Sequence, residues 1–156
     1  MRTPLTKEGK EKLEGELQRL KNKERPAIIR AIATARAHGD LSENAEYTSA
    51  KEKQRFIEGR IKELEIILTA AEVIDPVAIG AGGRCIFGAY VEVENAEGKR
   101  LSYRLVSRHE SNIEEGLMSS DSPVGRALLG KYAGDTTRVE APGGALEYKV
   151  ISVRYE

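Results

Sequence analysis

The 156-residue sequence has no tryptophan, two phenylalanines, one cysteine and no net charge. A single cysteine, Cys85, excludes an internal disulfide and any cysteine-based metal motif, and it fits a reducing compartment. With 25 basic and 25 acidic residues balancing to zero, bulk charge points to neither a nucleic-acid binder nor an acidic protein. Aromatic residues make up 5% of the chain and charged residues 32%, which favours extended helices and a modest core. No apolar run is long enough to span a bilayer. The N-terminal stretch Met1-Arg2-Thr3-Pro4-Leu5-Thr6-Lys7-Glu8 lacks the apolar centre of a signal peptide, so the cytoplasm is the expected compartment.

What the chain does have is helical period. From Leu13 through Leu17, Leu20, Ala27, Ile28, Ala31, Ile32 and Ala35, apolar residues recur at steps that form one stripe. Thr6 is a candidate N-cap ahead of Lys7-Glu8. Pro26 removes one backbone hydrogen bond, so a kink is expected there; Gly39 supplies the turn that ends the helix. A second seam runs Tyr47, Ala50, Gln54, Ile57, Ile61, Leu64, Leu68, Ala71 in alternating steps of three and four, a heptad pattern that calls for a coiled-coil partner. Ser42 or Asp40 is expected to cap this helix. Two antiparallel helices of about 30 residues, at ~1.5 Å rise per residue, make a rod roughly 45 Å long. Gly59 lies off the seam, at a cost of about 1 kcal/mol relative to Ala.

Composition changes after Asp75-Pro76, and Gly80, Gly82 and Gly83 mark a linker. Beyond it the period becomes two. Arg84–Phe87, Tyr90–Glu94 and Leu101–Val106 read as strands, with Asn95-Ala96-Glu97-Gly98 as a hairpin turn. Ser122-Pro123 caps a short helix that Gly130 stops, and a last hairpin turns at Pro142-Gly143-Gly144. The expected organisation is α+β: a long antiparallel helical hairpin over residues 1–76, then a small antiparallel sheet with one short helix over residues 77–156.

The turn between the long helices is the most informative segment: His38-Gly39-Asp40-Leu41-Ser42-Glu43-Asn44-Ala45-Glu46-Tyr47. It carries Asp40, Glu43 and Glu46 with no basic residue among them. Acids near a helix N-terminus are favoured by the macrodipole alone, so a solvated turn is one reading. Metal chemistry is the other. Mg²⁺ takes one or two carboxylates and completes its octahedron with water and substrate oxygens. Asp40 and Glu43, three residues apart, are placed to face outward together, while Glu46 is better placed to brace the turn. Such a pair holds Mg²⁺ weakly by itself and becomes useful beside an ion held elsewhere, as in two-metal phosphoryl transfer.

The same segment closely resembles the tip of the bacterial Gre transcript cleavage factors, GreA type. Glu24-Arg25-Pro26, Phe87-Gly88-Ala89, Asp121-Ser122-Pro123 and Thr137 through Pro142-Gly143-Gly144 extend the resemblance over the whole chain. It implies an N-terminal antiparallel coiled coil joined to an FKBP-like C-terminal domain. It further implies an accessory factor, not an autonomous nuclease, that binds RNA polymerase and reaches through the secondary channel. There it would stimulate the polymerase's own cleavage of backtracked RNA. On this resemblance Asp40 and Glu43 help hold a Mg²⁺ shared with the polymerase active site. No tightly bound cofactor of the free chain is expected, nor any membrane partner.

Basic residues flank the tip: Arg36 on the first helix, and Lys51, Lys53 and Arg55 on the second. Ordinary coiled-coil surface charge accounts for each taken singly. The resemblance makes Arg36, Lys51 and Arg55 candidates for phosphate contacts to the nascent RNA 3′ segment. The patch is modest, which resembles the GreA branch more than the strongly basic GreB branch and implies short cleavage fragments. Asp121, Ser122 and Pro123 cap a helix and, by resemblance, dock on the polymerase near the channel rim. Tyr47 is expected to pack the tip, Cys85 to fill core, and His38 and His109 to hold turn or surface positions. A channel-occupying regulator without cleavage is the nearest alternative. A prolyl isomerase needs an aromatic-lined pocket, whereas Phe87, Tyr90, Tyr103, Tyr132, Tyr148 and Tyr155 mostly occupy strand positions expected to fill the core. A third alternative, a coiled-coil adaptor or chaperone, would use the tip acids for solubility alone.

Overall fold

A computed structural model describes residues 2–39, 44–75 and 82–155. The chain forms two compact units, Lys10–Ala71 and a second built from Arg2–Gly9 with Glu72–Glu156.

The first unit is the helical hairpin. Helix α1 runs Lys7–Arg19, a wide π-turn covers Leu20–Glu24, α2 runs Arg25–Ala37 and α3 runs Ala45–Thr69. The disturbance expected at Pro26 takes the form of this π-turn. Proline has no N–H to give, and the turn before it widens so that the Arg25 N–H reaches back five residues to the Leu20 carbonyl. The extra residue resets the phase of the stripe. Buried positions pass from Leu13 and Leu20 to Ile28, Ile32 and Ala35, while Ala27 and Ala31, assigned to the stripe from spacing, are exposed. On α3 the buried residues are Ala50, Ile57, Ile61, Leu64 and Ile67. The seam therefore ends at Ile67, with Leu68 half-buried. Glu16–Arg60, Lys21–Glu65 and Arg25–Glu58 pair across the hairpin at 2.7, 3.5 and 2.8 Å. Each adds little at a solvated surface but fixes register.

In the second unit, β1 (Thr3–Leu5) pairs with β2 (Ala71–Val73), and the Ile74 N–H donates to the Leu5 carbonyl at 2.9 Å. Thr6 caps as expected: its Oγ1 accepts from the Gly9 N–H at 3.0 Å. Glu110 holds this corner by accepting from the Thr6 N–H (3.2 Å), the Ser107 N–H (3.1 Å) and the Thr6 hydroxyl.

The five-stranded sheet has the order β5-β4-β3-β7-β6, from β3 (Tyr90–Asn95), β4 (Arg100–Val106), β5 (Leu117–Ser119), β6 (Thr136–Ala141) and β7 (Gly144–Arg154). Four strands pair antiparallel, and β5 joins the edge parallel to β4. Asn95 builds the β3–β4 turn, its side-chain oxygen accepting from the Glu97 and Lys99 N–H groups. Alternation along β3 buries Val91 and Val93 against Leu105, Met118, Leu128, Val150 and Cys85. The strand expected at Arg84–Phe87 does not form. Cys85 is fully buried there in a loop whose backbone bonds to the segment after the short helix, Cys85 N–H to Lys131 O and Gly130 N–H to Cys85 O, each at 2.7 Å.

Tyr103, Tyr148 and Tyr155 pack against this core. Tyr90 lies between two guanidinium groups, Arg104 at 4.9 Å and Arg154 at 5.7 Å. Arg104 is buried and is also held by the Gly88 carbonyl (3.2 Å) and the Glu8 carboxylate (3.3 Å). Among the described residues, no helix is long and apolar enough to cross a membrane.

Candidate functional site

Three features converge at the end of the hairpin. First, α2 stops cleanly: the His38 and Gly39 N–H groups return to the Ala35 and Arg36 carbonyls, and Gly39 takes a positive φ of 110° that its missing Cβ permits. Second, α3 begins at a cap that the sequence left open between two other residues. The cap is Asn44, whose Oδ1 accepts from the Tyr47 N–H at 3.0 Å. Its Nδ2 donates across the turn to the Ala35 carbonyl at 2.7 Å, so one side chain satisfies an orphan donor of α3 and a terminal acceptor of α2. Asp40 and Ser42, the caps expected from sequence, and Glu43 lie outside the described residues. Third, Glu46 approaches His38 across the turn, with Oε2 at 3.5 Å from Nδ1.

Of the expected RNA contacts, the structure brings two together. Arg36 and Lys51 line one groove between α2 and α3. The Arg36 guanidinium sits 5.9 Å from the centroid of the Tyr47 ring, and Lys51 Nζ donates to Gln54 Oε1 at 3.2 Å. Tyr47 is half-buried, and its ring faces the Arg36 cation. Arg55 and Lys53 are exposed on α3 and do not line that groove.

The second candidate region is on the sheet unit. Helix α4 is Pro123–Leu128. Ser122 caps it, accepting from the Gly125 N–H at 3.0 Å and donating to the Ser119 carbonyl at 2.7 Å. Pro123 follows in the first turn, where a missing N–H costs nothing. Asp121 is exposed, and its N–H donates to Ser119 Oγ at 3.1 Å. Ser122 and Pro123 stand at the edge of an apolar groove of about 440 Å³, lined further by Ile113, Met118, Val124 and Leu146. Ile113 and Leu146 are 60% and 46% exposed, so this surface presents aliphatic side chains to solvent. Among the described residues, no aromatic side chain lines this groove. The sequence marked Ser122-Pro123 as a helix start but not this groove, because Ile113, Met118 and Leu146 come from three separate segments.

Cys85 is chemically quiet. Burial pushes its thiol up to about 11, so little thiolate exists near neutrality. His109 is half-buried in the turn after β4, its N–H donating to Ser107 Oγ at 3.2 Å.

The family model described as transcription elongation factor, N-terminal, matches residues 3–73, and that described as transcription elongation factor, GreA/GreB, C-term, matches residues 81–155. The chain is similar to the transcription elongation factor GreA of Alkalilimnicola ehrlichii, 55% identical over 155 residues that cover 99% of this chain and 98% of the relative. It is similar to the GreA of Ralstonia nicotianae to the same degree, 55% over 153 residues covering 97% of each. Among solved structures it is similar to GreA factor homolog 1, Gfh1, of Thermus thermophilus, at 30% identity, 99% coverage of both chains and a TM-score of 0.45.

Proposed function

Because the chain belongs to the GreA/GreB family of transcription elongation factors, we propose that it binds bacterial RNA polymerase and stimulates cleavage of backtracked RNA. In this reading the hairpin enters the secondary channel and the polymerase's own active site does the cutting. The chain is then an accessory factor, and arrested complexes are its target.

The observation that carries the proposal is how the hairpin end is built. Asn44 joins the two helices across the turn, Glu46 lies beside His38, and the Tyr47 ring faces Arg36. These contacts tie together the helix ends on either side of the Asp40–Glu43 segment, and Arg36 and Lys51 stand on those same two helices. Delivery of carboxylates to a site elsewhere requires helix ends tied in this way, since a 1 Å misplacement of a catalytic group is expensive in rate.

Asp40 and Glu43 fit Mg²⁺ by donor chemistry, as hard oxygen ligands of the number that ion takes from protein. Asp40 and Glu43 would share Mg²⁺ with the polymerase, and the ion would supply Lewis-acid charge for phosphoryl transfer. Asp40 and Glu43 also accept hydrogen bonds and so orient water. Arg36 and Lys51, with Arg55 further along α3, neutralise phosphates of the extruded 3′ segment. Asp121, Ser122 and Pro123, with the aliphatic groove beside them, dock on the rim of the channel.

The test is a stalled, backtracked bacterial elongation complex carrying 3′-labelled RNA, with Mg²⁺ and either no factor, the wild-type chain, or the Asp40→Asn/Glu43→Gln double variant. Short labelled fragments released with wild type only, at equal polymerase binding and equal melting temperature, are the expected result. The loss in the double variant is expected to reach roughly 100-fold or more, the scale of removing a charge aimed at a transition state. Binding without any stimulation would refute the cleavage reading and leave a channel-occupying regulator.

A further inference from the structure

The groove beside the tip has more to it than two cations. Its volume is about 450 Å³, and its lining is Ile29, Ile32, Ala33, Arg36, Lys51 and Gln54. We propose that its apolar floor seats a nucleobase of the single-stranded RNA, so that this hairpin grips the extruded segment by a base as well as by phosphates. The proposal rests on the cleavage-factor reading above and names a contact within it.

Ile29 carries the argument. It stands at 52% exposure on α2, beside Ile32, which is buried in the helix interface. An isoleucine left half in solvent does little for the hairpin, yet with Ala33 it makes an apolar floor between charged walls.

The walls carry the two cations. Lys10, Lys21, Arg25 and Arg60 each lie against a carboxylate: Glu14, Glu65, Glu58, and Glu16 with Glu63. Among the described residues, Arg36 meets the Tyr47 ring and Lys51 the Gln54 amide, and no acid lines the groove. Two cations on the walls of a groove that no acid lines suit an anionic ligand.

An apolar floor with two positioned cations and an amide at its edge matches a nucleotide in single-stranded form. The base has a face that stacks on apolar surface without regard to sequence, and the phosphates meet the cations. An acidic peptide would use the cations and leave the floor wet. Ile29 and Arg36 are seven residues apart, ~10 Å along the helix. At ~3.4 Å per stacked nucleotide, floor and cations together cover roughly three nucleotides.

The experiment uses the whole chain in a backtracked elongation complex. The extruded RNA carries 4-thiouridine, an abasic residue or a normal nucleotide at each position in turn. The factors are wild type, Ile29→Ser and Arg36→Gln; Ile29 is exposed enough that its replacement leaves the hairpin folded. At one extruded position, 4-thiouridine is expected to cross-link to α2 between residues 29 and 36. An abasic residue at that same position should slow wild-type cleavage about five-fold, the worth of a small apolar contact. Ile29→Ser should lose the same factor on normal RNA and nothing more on abasic RNA, because both changes remove one contact. Arg36→Gln should slow both RNAs alike.

No cross-link to α2 from any position would overturn the proposal, as would equal slowing of both RNAs by Ile29→Ser. So would weakened polymerase binding by Ile29→Ser, which would assign the groove to a protein contact. The cross-link is read apart from cleavage. A factor that cross-links but does not stimulate cleavage refutes the cleavage reading and keeps the base seat. Full cleavage with neither the cross-link nor the abasic effect refutes the seat alone, and a chain that does not bind polymerase refutes both.

Discussion

Gly125→Ala and Gly59→Ala are the same chemical change, one methyl added to a helix, and the structure gives them opposite signs. Gly125 is buried in α4. A Cβ there would lie 2.2 Å from the Ser119 carbonyl oxygen, 3.0 Å from Ser120 Cα and 3.0 Å from Ser122 Oγ. The two nearest obstacles are backbone, so no side-chain rotation relieves the overlap. The Ser119 carbonyl also accepts from the Ser122 hydroxyl and N–H, at 2.7 and 3.1 Å, so displacing it unmakes the turn that sets the cap of α4. Overpacking costs about 1–3 kcal/mol and a lost serine cap about 1 kcal/mol, against about 1 kcal/mol gained in helix propensity. The net expectation is destabilisation of the sheet unit by about 1–3 kcal/mol. Gly59 lies exposed in α3 with nothing within 4 Å of the added methyl, so Gly59→Ala should stabilise the hairpin by about 1 kcal/mol. Urea denaturation separates the two units optically. Far-UV circular dichroism follows the long helices, and near-UV tyrosine signal follows the sheet, since every tyrosine except Tyr47 lies at position 90 or beyond. Gly125→Ala should lower the tyrosine midpoint and, through Ser122 and Pro123, weaken polymerase binding, while Gly59→Ala raises the helical midpoint and leaves binding alone. A Gly125→Ala midpoint unchanged within about 0.5 kcal/mol would refute the close-approach argument.

Asn44→Ala removes an acceptor for the Tyr47 N–H and a donor to the Ala35 carbonyl, so the hairpin should lose about 1–2 kcal/mol by helical denaturation. Asn44→Asp keeps the acceptor and should lose less; equal losses would show that the cross-turn bond contributes nothing. Cys85, buried and held up to about 11, should react with a disulfide reagent at pH 8 only as fast as the sheet unit opens, and immediately in urea. A stoichiometric burst from the native chain would contradict its placement. The Arg60 hydrogen bond to Glu16, opposed by desolvation, holds that carboxyl below its ordinary range. A carboxylate depressed on folding contributes stability present above its unfolded value and lost as pH falls through the folded one. The hairpin should therefore weaken below about pH 4, by less than ~1 kcal/mol from this pair. The Glu16→Gln variant should show a flatter acid profile in helical denaturation at a series of pH values.

The parts of this chain that could be read from sequence are those where one residue type has one local solution. Thr6 caps α1, Ser122-Pro123 opens α4, Asn95 folds the β3–β4 turn and the heptads of α3 bury one face, all through interactions within a few residues. What escaped was decided by partners distant in sequence. Asp40, Ser42 and Asn44 share cap propensity, and the choice of Asn44 follows from an acceptor on the other helix, the Ala35 carbonyl. The π-turn before Pro26 leaves the apolar spacing locally plausible either way, so Ala27 and Ala31 read as stripe until the extra residue is counted. Arg84–Phe87 alternates like a strand because Cys85 is buried, but its backbone bonds go to the loop after α4 instead of to a ladder. Strand β5, three residues long and parallel, is too short to show a period. The candidate sites divide along the same line. An acidic turn and its flanking cations announce themselves as types in a motif. The groove floor at Ile29 does not, because an exposed isoleucine looks like any surface apolar residue until Arg36, Lys51 and Gln54 are seen around it. Contacts that depend on two helices meeting are therefore where structure adds most to what this sequence shows of the candidate site.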